Sequence, residues 1–215
     1  MMLKITRDIL MEKEKTGKGR PSLNEAEHES RKSLIIQIAK TLFLKDGYQA
    51  VSMRKIAAKA NLSPMTIYQS FKNKRDILRF IWTDIFVAVT NQCQLEVESA
   101  DDDLKKIRAF CSAFLNYWLA HPDHYRVVYL ESDQLEGSND AFFITSTVVS
   151  SLFDQLCLLV SNIANDQSSV EQNVKLLVLQ LQGIAHGLIT INEYPWGDSE
   201  VLLESCLTMF EKFVE

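Results

Sequence analysis

The stretch SPMTIYQSFKNK (63–74) carries alcohol groups on Ser63, Thr66 and Ser70, a phenol on Tyr68, an amide on Gln69 and cations on Lys72 and Lys74. Hydroxyls and ammonium groups donate to phosphate oxygens, and such contacts set a protein's register on a duplex without reading its sequence. Gln69 is the side-chain type that pairs with an adenine edge, and Met65 suits a thymine methyl. Just upstream, Ser52 and Arg54 add a hydroxyl and a guanidinium. The chemistry on offer is recognition of a polyanion.

Such groups need a rigid carrier. Ser52 is a good N-cap, and Ile56, Ala57 and Ala60 follow at helical spacing. Asn61 suits a left-handed residue closing that helix. Ser63 then caps a second helix, with Pro64 at the first helical position, where its missing N–H costs nothing. Ile67 and Phe71 lie four apart and anchor one face. Met65, Thr66, Tyr68, Gln69 and Ser70 are left outside the core. Two helices joined by so short a turn form a helix-turn-helix, whose second helix enters the major groove. Before them, Leu34, Ile35, Ile38, Ala39, Leu42 and Phe43 form an amphipathic stripe, and Gly47 suits the C′ position.

The words LFLKDGYQAVS, MRKIAAKANLS and TIYQSFKNKRDIL resemble the DNA-binding domain of TetR-family transcriptional repressors over about residues 31–80. Tyr68, Phe71 and Lys74 match the family's most recognisable positions. Ser70 stands where many members carry His, a departure that weakens or removes one phosphate contact. The resemblance implies a dimeric, all-helical regulator with an N-terminal reading head and a C-terminal ligand-binding and dimerisation domain. The implied DNA-contacting set is Ser52, Arg54, Ser63, Met65, Thr66, Tyr68, Gln69, Ser70, Lys72 and Lys74. HPDHYRVVYLES and LQGIAHGLITI resemble a subgroup with a similar His-Gly pair, here His186 and Gly187.

Charge supports the same division. Residues 1–80 hold 17 Lys+Arg against 8 Asp+Glu, whereas residues 81–215 hold 6 against 20, so the net charge of −5 hides a basic head. Clustered cations supply the counterion-release contribution to DNA affinity. Residues 1–27 read as a flexible arm. Arg20, within TGKGRPS, either enters a narrow minor groove or belongs to an inert tail, and the sequence favours neither.

The expected organisation is all-α: an arm (1–27), a three-helix helix-turn-helix domain (28–75), and a regulatory bundle of about six helices (76–215). In the bundle, the last two helices carry Gly183, Gly187, Leu202, Cys206, Met209, Phe210 and Phe213, and are expected to pair with a second copy in a four-helix bundle. An intramolecular core is the alternative for these residues. Trp118, Tyr125, Tyr129, Phe143 and His186 are candidate walls of an effector pocket, although core packing is the ordinary role of each. His121, Asp123 and His124 crowd a helix break and read as a turn with exposed imidazoles rather than a metal site. Scattered Cys93, Cys111, Cys157 and Cys206 read as reduced thiols, with redox sensing as the alternative.

No nucleophile elbow, Gly-rich phosphate loop or zinc signature occurs. Neither an enzyme nor a cofactor is expected. No apolar run is long enough for a membrane span, and no signal peptide is apparent, so a cytoplasmic location is expected. The expected function is a repressor that leaves a palindromic duplex operator when a small molecule binds. The alternative is a regulator controlled by a protein partner through the acidic half.

Overall fold

A computed structural model describes residues 25–130 and 146–214, and Ile35–Glu215 form one compact unit. The described residues are helical, with no strand among them. The helices are α1 (Glu25–Asp46), α2 (Met53–Lys59), α3 (Pro64–Ser70), α4 (Lys74–Glu98), α5 (Asp103–Ala120), α6 (Pro122–Tyr125), α7 (Thr147–Ser161), α8 (Val170–Thr190) and α9 (Ser199–Val214). A π turn, Arg126–Leu130, follows α6, and a 3₁₀ turn, Gln167–Ser169, precedes α8. Among the described residues, three N-terminal helices are thus followed by six more, in the all-α order expected.

Local sequence sets the boundaries of the head. Ile35, Ala39, Leu42 and Phe43 of α1 are buried, while Leu34 is 44% exposed, so the stripe begins one residue later than its periodicity indicates. Gly47 takes φ 80° and its N–H returns to Phe43 O at 3.0 Å, closing α1 in the left-handed conformation that glycine tolerates. Asn61 does the same after α2, with φ 55°, while Leu62 N–H reaches Ala57 O at 3.0 Å. Phe71 leaves the helical region and ends α3.

The bundle is built around α4 and α5, which run side by side. Ile77, Leu78, Ile81, Trp82, Ile85, Phe86, Val89 and Cys93 line the buried side of α4. Trp82 Nε1 donates to Val127 O at 2.9 Å, fastening α4 to the π turn. Asp102, central in the acidic run 101–103, caps α5 by accepting from Lys105 N at 2.8 Å. The His121-Pro122 break falls where the sequence places it. Asp198 caps α9, accepting from Glu200 N at 2.7 Å. Among the described residues no helix is long and apolar enough to cross a membrane.

Candidate nucleic-acid interface and regulatory cavity

The two caps of the head prove to be hydrogen-bonded as their residue types require. Ser52 Oγ accepts from Lys55 N at 3.2 Å, and Ser63 Oγ accepts from Thr66 N at 3.1 Å. Ser63 and Thr66 hydroxyls also bond to each other at 2.8 Å, which couples the start of α3 to its first turn. Ile67 (0% exposed) and Phe71 (2%) pin α3 from beneath. The opposite face is open: Met65 is 71% exposed and Tyr68 53%, with Gln69 and Lys72 also exposed and Thr66 and Ser70 half-buried. Ser52, Arg54 and Ser63 are exposed as well. The chain thus presents an alcohol, a phenol, an amide and a thioether from one short rigid helix. Arg20 lies outside the described residues.

Lys74 has an internal partner. Its Nζ donates to Tyr48 O at 2.7 Å and sits 3.8 Å from the centre of the Tyr48 ring. Tyr48 is itself buried, packed edge-on against Phe43 at 5.1 Å. The sequence reading puts Lys74 on a phosphate; in the structure its ammonium joins the start of α4 to the α1–α2 turn. Sequence reading also missed the device beside it. Asn73 Oδ1 accepts from Asp76 N at 2.9 Å, and Asp76 Oδ2 accepts from Lys72 N at 3.0 Å. Asparagine followed three residues later by an acid was the signal.

A cavity of about 110 Å³ lies in the bundle. Its walls are Phe86 of α4, Phe110 and Phe114 of α5, Tyr129 of the π turn, Val149, Leu152, Phe153 and Leu156 of α7, and Val178, Leu181 and Gln182 of α8. Gln182 Nε2 donates to Tyr129 Oη at 3.3 Å. Burial holds the Tyr129 phenol well above its usual pKa, with Tyr125 adding to the rise and the Gln182 bond opposing it, so the group is neutral. Of the four expected wall residues that are described, Tyr129 alone lines this cavity. Trp118 is fully buried one ring behind it, 5.3 Å from Tyr129. Tyr125 is buried between Trp118 and His186, its hydroxyl 3.4 Å from His186 Nδ1. His186 is exposed, contrary to the expected pocket position. Phe143 lies outside the described residues. The phenylalanines were legible as apolar positions, and Gln182 as a polar interruption of an apolar helix, but only packing brings them to one void.

The expected pairing face divides in two. Phe210 (4% exposed) is buried in the protomer's own core, while Cys206 (3%) is buried in the wall of the groove between α8 and α9. Gly183, Leu202 and Met209 border this open groove of about 390 Å³. Gly187 lies against the Trp196 ring, which a Cβ there would meet at 3.4 Å, an ordinary contact distance. Trp196 is held over it by Nε1 donating to Ile191 O at 2.9 Å. On the same two helices Leu179 and Val201 are each 63% exposed. The side chain of Phe213 is not described.

The α5–α6 break is also more ordered than expected. His124 is half-buried, its Nδ1 2.9 Å from Tyr117 Oη, and its ring stacks on His121 at 5.0 Å. Burial, and then the charge of Lys40 on α1, hold His124 below an ordinary imidazole, with Asp123 opposing. Burial pushes the Cys93 thiol up to about 12, which removes its thiolate at neutral pH.

Residues 35–80 match the family model for bacterial regulatory proteins of the tetR family. The HTH-type transcriptional regulator YvkB of Bacillus subtilis (strain 168) is 43% identical over 44 residues, covering 20% of this chain and 23% of that protein. The regulator YhgD of the same organism is 29% identical over 91 residues, covering 42% and 48%. The matched parts thus span about a quarter and about half of these curated relatives. A crystal structure described as a tetR family transcription regulator, from Shewanella sp. PV-4, shares the fold with a TM-score of 0.59 at 17% identity, covering 85% of this chain and 97% of that one.

Proposed function

We propose that this chain, whose residues 35–80 match the model for bacterial regulatory proteins of the tetR family, is a sequence-specific transcriptional repressor of that family, released from its operator by a small molecule. The observation that carries the reading is the exposed face of α3, where Met65, Tyr68 and Gln69 stand clear while Ile67 and Phe71 fix the helix. In this reading Met65 and Gln69 face base edges, and Ser52, Arg54, Thr66, Tyr68 and Lys72 hold phosphates. Ser63 and Lys74 fix the positions of the reading helix and of the turn beneath it.

Two copies pair through α8 and α9 in the cytoplasm. Exposed Leu179 and Val201 and an open apolar groove on the same two helices support that pairing, because such surface is costly to leave in water. The dimer sets two α3 helices about 34–36 Å apart, in successive major grooves of a palindrome. The effector occupies the cavity bounded by α4, α5, α7 and α8. Since α4 begins at the Lys74 clamp and carries Phe86 into the cavity wall, a ligand that shifts α4 shifts the head. It acts only if it binds the non-operator spacing more tightly.

Selection of genomic duplex fragments on the purified full chain tests this. Enrichment of a palindromic site over random duplex at moderate salt is expected. A chain that retains heparin and random duplex equally, with no fragment enriched, overturns it.

A further inference from the structure

We propose that the bundle cavity selects an uncharged, single-ring aromatic compound bearing one oxygen function, with the ring among the phenylalanines and the oxygen beside Tyr129 and Gln182. The proposal rests on the regulatory reading above and names the ligand class for that site.

Size comes first. A void of about 110 Å³ is of the order that holds one aromatic ring, since an engineered cavity of about 150 Å³ takes benzene. The walls match a ring in shape and chemistry: Phe86, Phe110, Phe114 and Phe153 surround the void, and aromatic pairs favour edge-on and offset contacts. Charge comes next. None of the described residues lining the cavity is acidic, basic or histidine. A carboxylate or ammonium entering it finds no counter-charge among the described residues that line it, and an unpaired buried charge is strongly disfavoured. The Tyr129 phenol stays protonated, so it supplies no negative partner either.

The polar features cluster on one side. Gln182 Nε2 donates to Tyr129 Oη, and these two are the polar side chains among the described residues that line the cavity. The polar side of the void is therefore the Tyr129–Gln182 pair, and its other described walls are hydrocarbon. An oxygen on the ligand pairs there, and a bare hydrocarbon leaves that potential unused.

Calorimetric titration of the full chain with p-cresol, toluene, benzoate and benzylammonium at neutral pH tests the proposal. p-Cresol should bind roughly two- to tenfold more tightly than toluene, the range for one net hydrogen bond. Benzoate and benzylammonium should bind at least about tenfold more weakly than p-cresol. Gln182→Leu should reduce the advantage of p-cresol while toluene still binds, which shows that the variant is folded. The idea is overturned if either ion binds as well as p-cresol, if neither neutral ring binds, or if Gln182→Leu leaves the p-cresol to toluene ratio unchanged. Operator retention is followed separately on the same samples. p-Cresol bound with the operator still held sinks release by ligand and supports the ligand class; operator binding without any ring binding sinks the ligand class alone.

Discussion

Replacing Lys74 with methionine keeps most of the aliphatic stem and deletes the ammonium. The structure gives that ammonium a hydrogen bond to Tyr48 O at 2.7 Å and a place 3.8 Å from the Tyr48 ring centre. A hydrogen bond from a charged donor contributes about 1.5–3 kcal/mol. A partly desolvated cation–π contact adds about 0.5–1 kcal/mol. Lys74 is only half-buried, so the lower end applies, and a loss of about 2 kcal/mol is expected. For a unit of this size that lowers Tm by roughly 4–8 °C. The same variant separates the two roles open to Lys74. A phosphate contact contributes about 0.9 to the slope of log K against log salt. A clamp contributes nothing to that slope and acts by loosening the turn beneath the head. The measurements are a thermal melt and duplex binding across a salt series. A lower Tm with weaker binding and an unchanged slope is expected. An unchanged Tm with a slope shallower by about one refutes the clamp and restores Lys74 to the phosphate contacts.

Gln69→Ala should lose discrimination at one operator position by about 1–3 kcal/mol, read by competition between the selected site and single-base variants; equal losses on selected and random duplex rule out base reading. Leu179→Glu with Val201→Glu should yield a monomer in sedimentation with helix content unchanged, because both side chains are exposed in the protomer; an intact dimer places the pairing face elsewhere. His124 is held below its ordinary value of 6.5, so the unfolded chain takes up its proton more readily than the folded one. The stability it contributes is therefore full above that value and falls as the pH drops through it. Tm should decline between about pH 7.5 and 5.5, and His124→Gln should flatten part of that decline in a calorimetric series; an identical decline in the variant assigns it to other groups.

The reading head was legible because its signals are local. Ser52, Asn61, Ser63 and Pro64 act on the backbone within a few residues of themselves, so their types and spacing fix where α2 and α3 begin and end. Ile67 and Phe71 fix which face turns inward, and that leaves Met65, Tyr68 and Gln69 outside. The all-helical fold and the tetR-family match of residues 35–80 followed from these words. The bundle cavity is different in kind. Its walls come from four helices and a π turn, spread from Phe86 to Gln182, and helical periodicity reports that a side chain is apolar without reporting which void it borders. Trp118 and Tyr125 satisfied the pattern and became core, while His186 turned outward. Lys74 shows the same limit at short range: its sequence position suits a phosphate, and only the return of the chain at Tyr48 offers its ammonium a nearer oxygen. Backbone capping is decided within a turn of helix, whereas cavities and internal clamps are decided by which distant segments meet.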